Sequence, residues 1–183
     1  MIRAQFGTCR GLVRLALSYP QIWLRRSGAI DADPAAVRRL VFVCQGNICR
    51  SAFADIVARQ AGLNSASFGL STTTGRLAHG PAISAAQSLG YDLSRHAAVD
   101  MADYAPQDGD LLLAMEVRQL HRLANDPRLA TLPRMLLGRW TSPLTPHLHD
   151  PYGLDDRYMT RCLGRIEQAV GRLAKDFPGA RIS

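Results

Sequence analysis

Four short apolar runs punctuate the chain at 40–43, 65–68, 110–115 and 133–137. Leu40-Val41-Phe42-Val43 and Leu111-Leu112-Leu113-Ala114 are continuous rather than alternating, the pattern of strands covered on both faces. Between them, apolar residues recur at helical spacing over 51–58, 81–89, 116–123 and 157–176. The last of these turns Ile166, Val170 and Leu173 inward. Pro81 suits a first helical turn and Gly90 a C-terminal stop. The stretch 72–80 reads as a loop, and 92–99 as a short third strand or loop. Strands alternating with helices predict an α/β fold. It has three layers, α/β/α, around a small central parallel sheet of about four strands.

Residues 1–37 precede this alternation, and 38–183 form the compact domain. Within the extension Leu12, Val13, Ala16 and Leu17 fall at helical spacing, with Arg10 and Arg14 on another side. Pro20 should break or kink that helix. A linker with Asp and Pro follows at 31–34. The net charge of +7 is concentrated here: five arginines (3, 10, 14, 25, 26) and no acidic residue precede Asp31. The remainder holds 17 of the 22 basic residues against all 15 acidic ones, so it is nearly neutral and not built to grip nucleic acid. The basic arm suits weak contact with an anionic membrane surface or a partner, and equally an arm packed on its own domain or partly disordered. It also has the composition of an organellar transit peptide. No apolar run is long enough to span a bilayer. Cysteines at 9, 44, 49 and 162 lack framework and zinc-site spacing. That argues for a reducing, cytoplasmic setting and against disulfides and a structural metal.

The chemistry concentrates at Cys44-Gln45-Gly46-Asn47-Ile48-Cys49-Arg50-Ser51, where the first strand ends and a helix begins. Gly46 and Asn47 tolerate positive φ and can fold a tight concave loop. Successive amides of such a loop, with a helix N-terminus behind them, suit a tetrahedral oxyanion at the carboxyl edge of the sheet. Arg50 can hold two oxygens in a fork. These positive surroundings favour the thiolate of Cys44, and Ser51 can donate to the sulfur. A thiolate beneath a bound phosphate can form a phosphocysteine. No metal or cofactor is needed, since the amides and Arg50 supply the positive field.

At these residues the sequence resembles the low-molecular-weight protein-tyrosine phosphatases. Ser67-Phe68-Gly69-Leu70-Ser71 is similar to the family's Ser-Ala-Gly segment. The stretch from Gly90 to His96 is similar to its Gly-x-Asp-Leu-Ser-x-His, and Met115-Glu116 to the end of its later strand. Gly69-Leu70 with Gly75-Arg76, and Asp150-Pro151-Tyr152-Gly153, resemble the bacterial branch tied to exopolysaccharide systems. The resemblance covers about 39–176 and implies a phosphotyrosine hydrolase. In it Cys44 is the nucleophile, Arg50 binds phosphate and Asp150 is the general acid and base. Gln45, Gly46, Asn47, Ile48, Cys49 and Ser51 line the phosphate, and Tyr152 flanks the substrate ring. A tyrosine-phosphorylated protein is the implied partner, with a polysaccharide-export tyrosine kinase implied by the branch. Asn47 reads as a brace for the loop, with His96 in the same network. Cys49 is either a reversible disulfide partner of Cys44 or a small buried loop residue.

Several positions depart from the family. Ala52 replaces the usual proline, Gly153 a second tyrosine, and 72–76 lacks an aromatic. His79-Gly80 replaces an acidic stretch. Arg76, at the rim, favours acidic partners. Alternatives of the same fold are a thioredoxin-coupled arsenate reductase and a non-catalytic phosphate-binding module; the former needs resolving cysteines in a mobile segment after the third strand, whereas Cys9 lies in the arm and Cys162 in the last helix. A metal site at His147, His149 and Asp150 is disfavoured, because Asp150 points away from the histidines in an extended segment.

Overall fold

A computed structural model of the chain describes residues 7–24 and 26–182. Its elements are α1 (Cys9–Trp23), β1 (Arg39–Cys44), α2 (Arg50–Gln60), β2 (Ser65–Gly69) and α3 (Gly80–Ser88). They continue as β3 (Asp110–Ala114), α4 (Val117–Ala124), β4 (Arg134–Leu136) and α5 (Asp156–Asp176). The strands form one sheet in the order β2-β1-β3-β4, with each neighbouring pair parallel. This is the expected α/β architecture.

Strand periodicity sorts the core into two layers. Leu40, Phe42, Leu111 and Leu113 face one side, where Phe53 of α2 and Ile166, Val170 and Leu173 of α5 meet them. Val41, Val43, Leu112 and Ala114 face the other, against Phe68, Leu120 and Leu123. Burying a Leu, Val or Phe side chain contributes roughly 1.5–3 kcal/mol, so β1, buried from Leu40 onward, anchors the domain. The register sets Cys44 opposite Gly69 and Val43 opposite Ala114. Cys44 therefore emerges at the carboxyl edge of the two central strands.

Of the two alternatives for 92–99 the structure takes the loop, turns tied by an isolated bridge of Leu77 with Ala97 and followed by one of Gly69 with Asp100. One local expectation changes, the break at Pro20. α1 continues three residues beyond Pro20. A proline this close to a helix end removes one ladder bond, and the chain recovers by Leu24 N donating to Pro20 O at 2.9 Å.

The segment before β1 is fastened to the domain at several points. Thr8 caps α1 by accepting from Gly11 N at 2.9 Å, and its Oγ1 lies 3.0 Å from His149 Nε2. Tyr19 OH donates to Leu144 O at 2.7 Å. Ile30 pairs with Arg134 through two backbone bonds of 2.9 Å, which covers the β4 edge of the sheet. Arg134 Nε also donates to Gly28 O at 2.7 Å. Arg3 and Arg25 lie outside the described residues.

Candidate active site

Residues 44–51 wrap around the sulfur of Cys44. Asn47 N donates to Sγ at 3.3 Å, and Ser51 Oγ lies 3.0 Å from it. Asn47 takes φ +50, the left-handed turn asparagine tolerates, whereas Gly46 is not among the positive-φ residues described. The loop packs down on β2. A Cβ on Gly69 would stand 3.0 Å from Asn47 N and from the carbonyl carbon of Gly46, a contact so tight that the loop backbone would have to give way.

Asn47 is fully buried and braces the loop from four directions. Its Nδ2 donates to Ser51 Oγ and Ser67 Oγ, each at 2.9 Å. Its Oδ1 accepts from Val99 N at 2.9 Å, and its carbonyl lies 2.7 Å from His96 Nε2. Ser67 passes the contact to Asp55 of α2 at 3.4 Å. Burial lowers the proton affinity of His96, so it stays a neutral strut.

Arg50 opens α2 and is 1% exposed. One terminal nitrogen donates to Glu116 Oε1 at 2.7 Å and to Leu148 O at 2.8 Å. The other lies 2.7 Å from Asp150 Oδ2. Burial disfavours its charge, but Asp150, Glu116 and Cys44 outweigh that and fix the guanidinium as a cation. Its Nε is buried and has no hydrogen-bond partner among the described residues, a donor left over for an anion. Pro151 follows Asp150 and the turn is closed by Tyr152 N donating to Asp150 Oδ1 at 3.2 Å. Asp150 thus shares one guanidinium with the loop while remaining partly open to solvent.

Cys44, Gln45, Gly46, Ile48, Cys49, Arg50, Asp150 and Tyr152 line one cleft of about 200 Å³, together with Ser71 and Arg76. Asn47 and Ser51 lie beneath it. Tyr152 is half exposed and packs on His79, ring centres 4.7 Å apart. A larger hollow of about 450 Å³ opens by Arg39, Arg59 and Arg95, but Asp55, Asp92 and Asp103 share its lining. Size does not decide between them: only the smaller cleft joins a sulfur, a buried cation and a carboxyl.

Sequence reasoning assigned no role to Glu116. It is fully buried, caps α4, and bonds Arg118 at 2.6 Å as well as Arg50. Against the cost of burial, these arginines hold its carboxyl down at about 2. A carboxylate directly after the apolar run 111–115, at the same sheet edge as Cys44, was the available signal. The two histidines do not converge with Asp150. His147 Nδ1 lies 3.8 Å from Glu116, His149 faces Thr8, and Asp150 faces Arg50. Burial pushes the Cys49 thiol up and the Cys162 thiol to about 12, so both stay protonated at neutral pH. Cys162 donates weakly to His149 O at 3.7 Å from within α5. Gly153 has φ +73, where a tyrosine would be strained. Ala52 is fully buried, and the helix starts without the proline.

Burial pushes His147 down to about 4 from its ordinary 6.5. Between those values the unfolded chain takes up a proton that the folded chain refuses. Stability should therefore be flat above pH 6.5 and fall as pH drops toward 4, by about 3 kcal/mol at most. Urea midpoints of wild type and His147→Gln between pH 7 and 4.5 test this. The variant should show the shallower decline, and equal slopes would exclude His147 as its source.

A family model described as low molecular weight phosphotyrosine protein phosphatase matches residues 39–180. The Wzb phosphatase of Salmonella typhi is 31% identical over 116 residues, 62% of this chain and 76% of that protein. Among solved structures, the tyrosine phosphatase Wzb from Escherichia coli K30 in complex with sulphate superposes with a TM-score of 0.66 at 27% identity, covering 76% of this chain and 97% of that one. Vibrio vulnificus Wzb in complex with benzylphosphonate gives 0.65 at 25% identity, covering 76% and 98%.

Proposed function

Since the chain belongs to the low molecular weight phosphotyrosine protein phosphatase family, we propose that it hydrolyses phosphotyrosine in proteins through a phosphocysteine on Cys44. The observation that carries this reading is one guanidinium shared between the cysteine loop and Asp150, with its Nε donor unused. A phosphate dianion entering the cleft takes over that donor and displaces the carboxylate from Arg50. Repulsion between the two anions then favours the proton on Asp150.

In the first step Cys44 Sγ attacks phosphorus in line, the bond to the tyrosine oxygen breaks, and Asp150 protonates the leaving oxygen. Arg50 and the loop residues Gln45, Gly46, Asn47, Ile48 and Cys49 hold the equatorial oxygens. Ser51, 3.0 Å from the sulfur, stabilises its thiolate. In the second step Asp150 takes a proton from water, the water oxygen bonds phosphorus, and the S–P bond breaks. Inorganic phosphate leaves and the thiolate returns. Tyr152 on His79 makes the wall for the substrate ring. The benzylphosphonate held by the Vibrio relative is an aromatic ligand of this kind. Residues 38–183 form the catalytic domain, with 1–37 appended to it, and the enzyme works in the cytoplasm. Its substrate is a tyrosine-phosphorylated protein, with a polysaccharide-export tyrosine kinase as the candidate named by the family branch.

Hydrolysis of phosphotyrosyl peptide and of aryl phosphates, with EDTA present, tests this. Asp150→Asn should slow turnover by about 10²–10⁴-fold, most for phenols that leave poorly. A loss independent of leaving-group acidity would remove Asp150 from the acid role. Inactivation by EDTA would overturn the metal-free mechanism.

A further inference from the structure

α1 is apolar over more of its circumference than the domain covers. Its inner side rests on the body through Gly11 and Ser18, both buried, with Leu12, Leu15 and Ile22 partly so. On the outer side Val13, Leu17 and Leu24 follow at spacings of four and seven residues. Val13 is 56% exposed, Leu17 55%, Leu24 51% and neighbouring Trp23 84%. Leu144, also exposed, adjoins the helix where Tyr19 bonds its carbonyl. Single exposed apolar side chains are ordinary, but a contiguous row on one helix marks a contact surface. Exposed Arg10 and Arg14 run along the flank of this row, and exposed Arg26 follows its end. No acidic residue precedes Asp31.

We infer that this face docks the protein on an anionic lipid bilayer. The apolar row enters the acyl boundary, Trp23 sits at headgroup level, and the arginines pair with lipid phosphates. A second copy of the chain fits less well. Two such faces packed together would set arginines against arginines, with no carboxylate on either helix to pair them. Among the described residues no helix is long and apolar enough to cross a membrane, so the contact is a surface one. α1 runs beside Leu144, His147, His149 and Glu116, at the sheet end that carries Cys44. A docked molecule therefore keeps its catalytic end beside the bilayer, within reach of phosphoproteins held there.

The test is flotation of the full chain with vesicles of phosphatidylcholine alone or with about 30% phosphatidylglycerol. Wild type should float about tenfold more with the anionic vesicles, and the difference should collapse between about 0.1 M and about 0.5 M salt. Val13→Gln/Trp23→Gln/Leu24→Gln should abolish flotation with an unchanged melting temperature, since all three side chains are exposed. Arg10→Gln/Arg14→Gln should lose the lipid preference. In wild type, brominated lipid should quench part of the tryptophan emission, a readout that needs no variant. Equal flotation on both vesicles, or a triple variant that floats like wild type, would overturn the inference. So would a wild-type dimer that does not float and that the triple variant converts to monomer, which would give the face to a second copy.

Discussion

Cys44→Ser is expected to lower aryl phosphate hydrolysis by about four orders of magnitude or more. The sulfur of Cys44 sits at the centre of the loop, accepting from Asn47 N at 3.3 Å and lying 3.0 Å from Ser51 Oγ. Both donors suit a sulfur nucleophile, whereas a serine hydroxyl in its place is a far weaker one at neutral pH. The brace through Asn47, Ser67 and His96 does not involve the sulfur, so the loop should keep its shape. The variant should still bind phosphate or vanadate with affinity near that of wild type. Steady-state turnover and anion binding together separate the alternatives. Residual activity within tenfold of wild type would place the nucleophile elsewhere. A wild type that binds anions but does not turn over would make the cleft a phosphate receptor.

Glu116→Gln should cost about 3 kcal/mol of stability at neutral pH, because it strips a buried cation of its one fully buried counter-charge. Arg50 keeps Leu148 O, the partly open Asp150 and at 116 a neutral amide oxygen in place of a carboxylate. Arg118, bonded to the other oxygen of Glu116, loses its ion pair at the same time. The sign with pH follows from the depressed carboxyl. Glu116 is held at about 2 against an ordinary 4.5. Its stabilisation is complete above 4.5 and is lost as pH falls from 4.5 toward 2. Urea unfolding should therefore show a gap between wild type and variant that is full at pH 7 and reduced to about a quarter at pH 2.5. Turnover should also fall, by roughly tenfold or more, because Arg50 is no longer held in its fork geometry. A gap that stays at its full size at pH 2.5 would assign the loss to packing rather than to charge.

The apolar run from Leu40 to Val43, the cysteine that ends it, and the turn into Arg50 were legible in the sequence. They are contiguous, and strand periodicity with glycine and asparagine chemistry fixes such a segment locally. The order of strands and helices was legible for the same reason. Asp150 could be named because Pro151 biases its backbone and the family pattern marks it, but no local rule puts it on Arg50. That pairing, and those to Glu116 66 residues away and Leu148 98 residues away, depend on where the sheet register and the 144–152 loop bring the chain. The bond from Thr8 to His149 spans 141 residues. It ties the start of α1 to the body of the protein, a contact that composition could not foresee. Periodicity also predicted an amphipathic helix over 12–17 but could not say how much of its apolar arc the body would cover. Burial is decided by what packs against a face, and here the domain takes Gly11 and Ser18 and leaves Val13, Leu17 and Trp23 outside. The sequence by itself determined the cysteine loop and the succession of strands and helices, since these follow from neighbours along the chain. Only the tertiary structure decided what holds Arg50 and which side of α1 meets solvent, since these follow from neighbours in space.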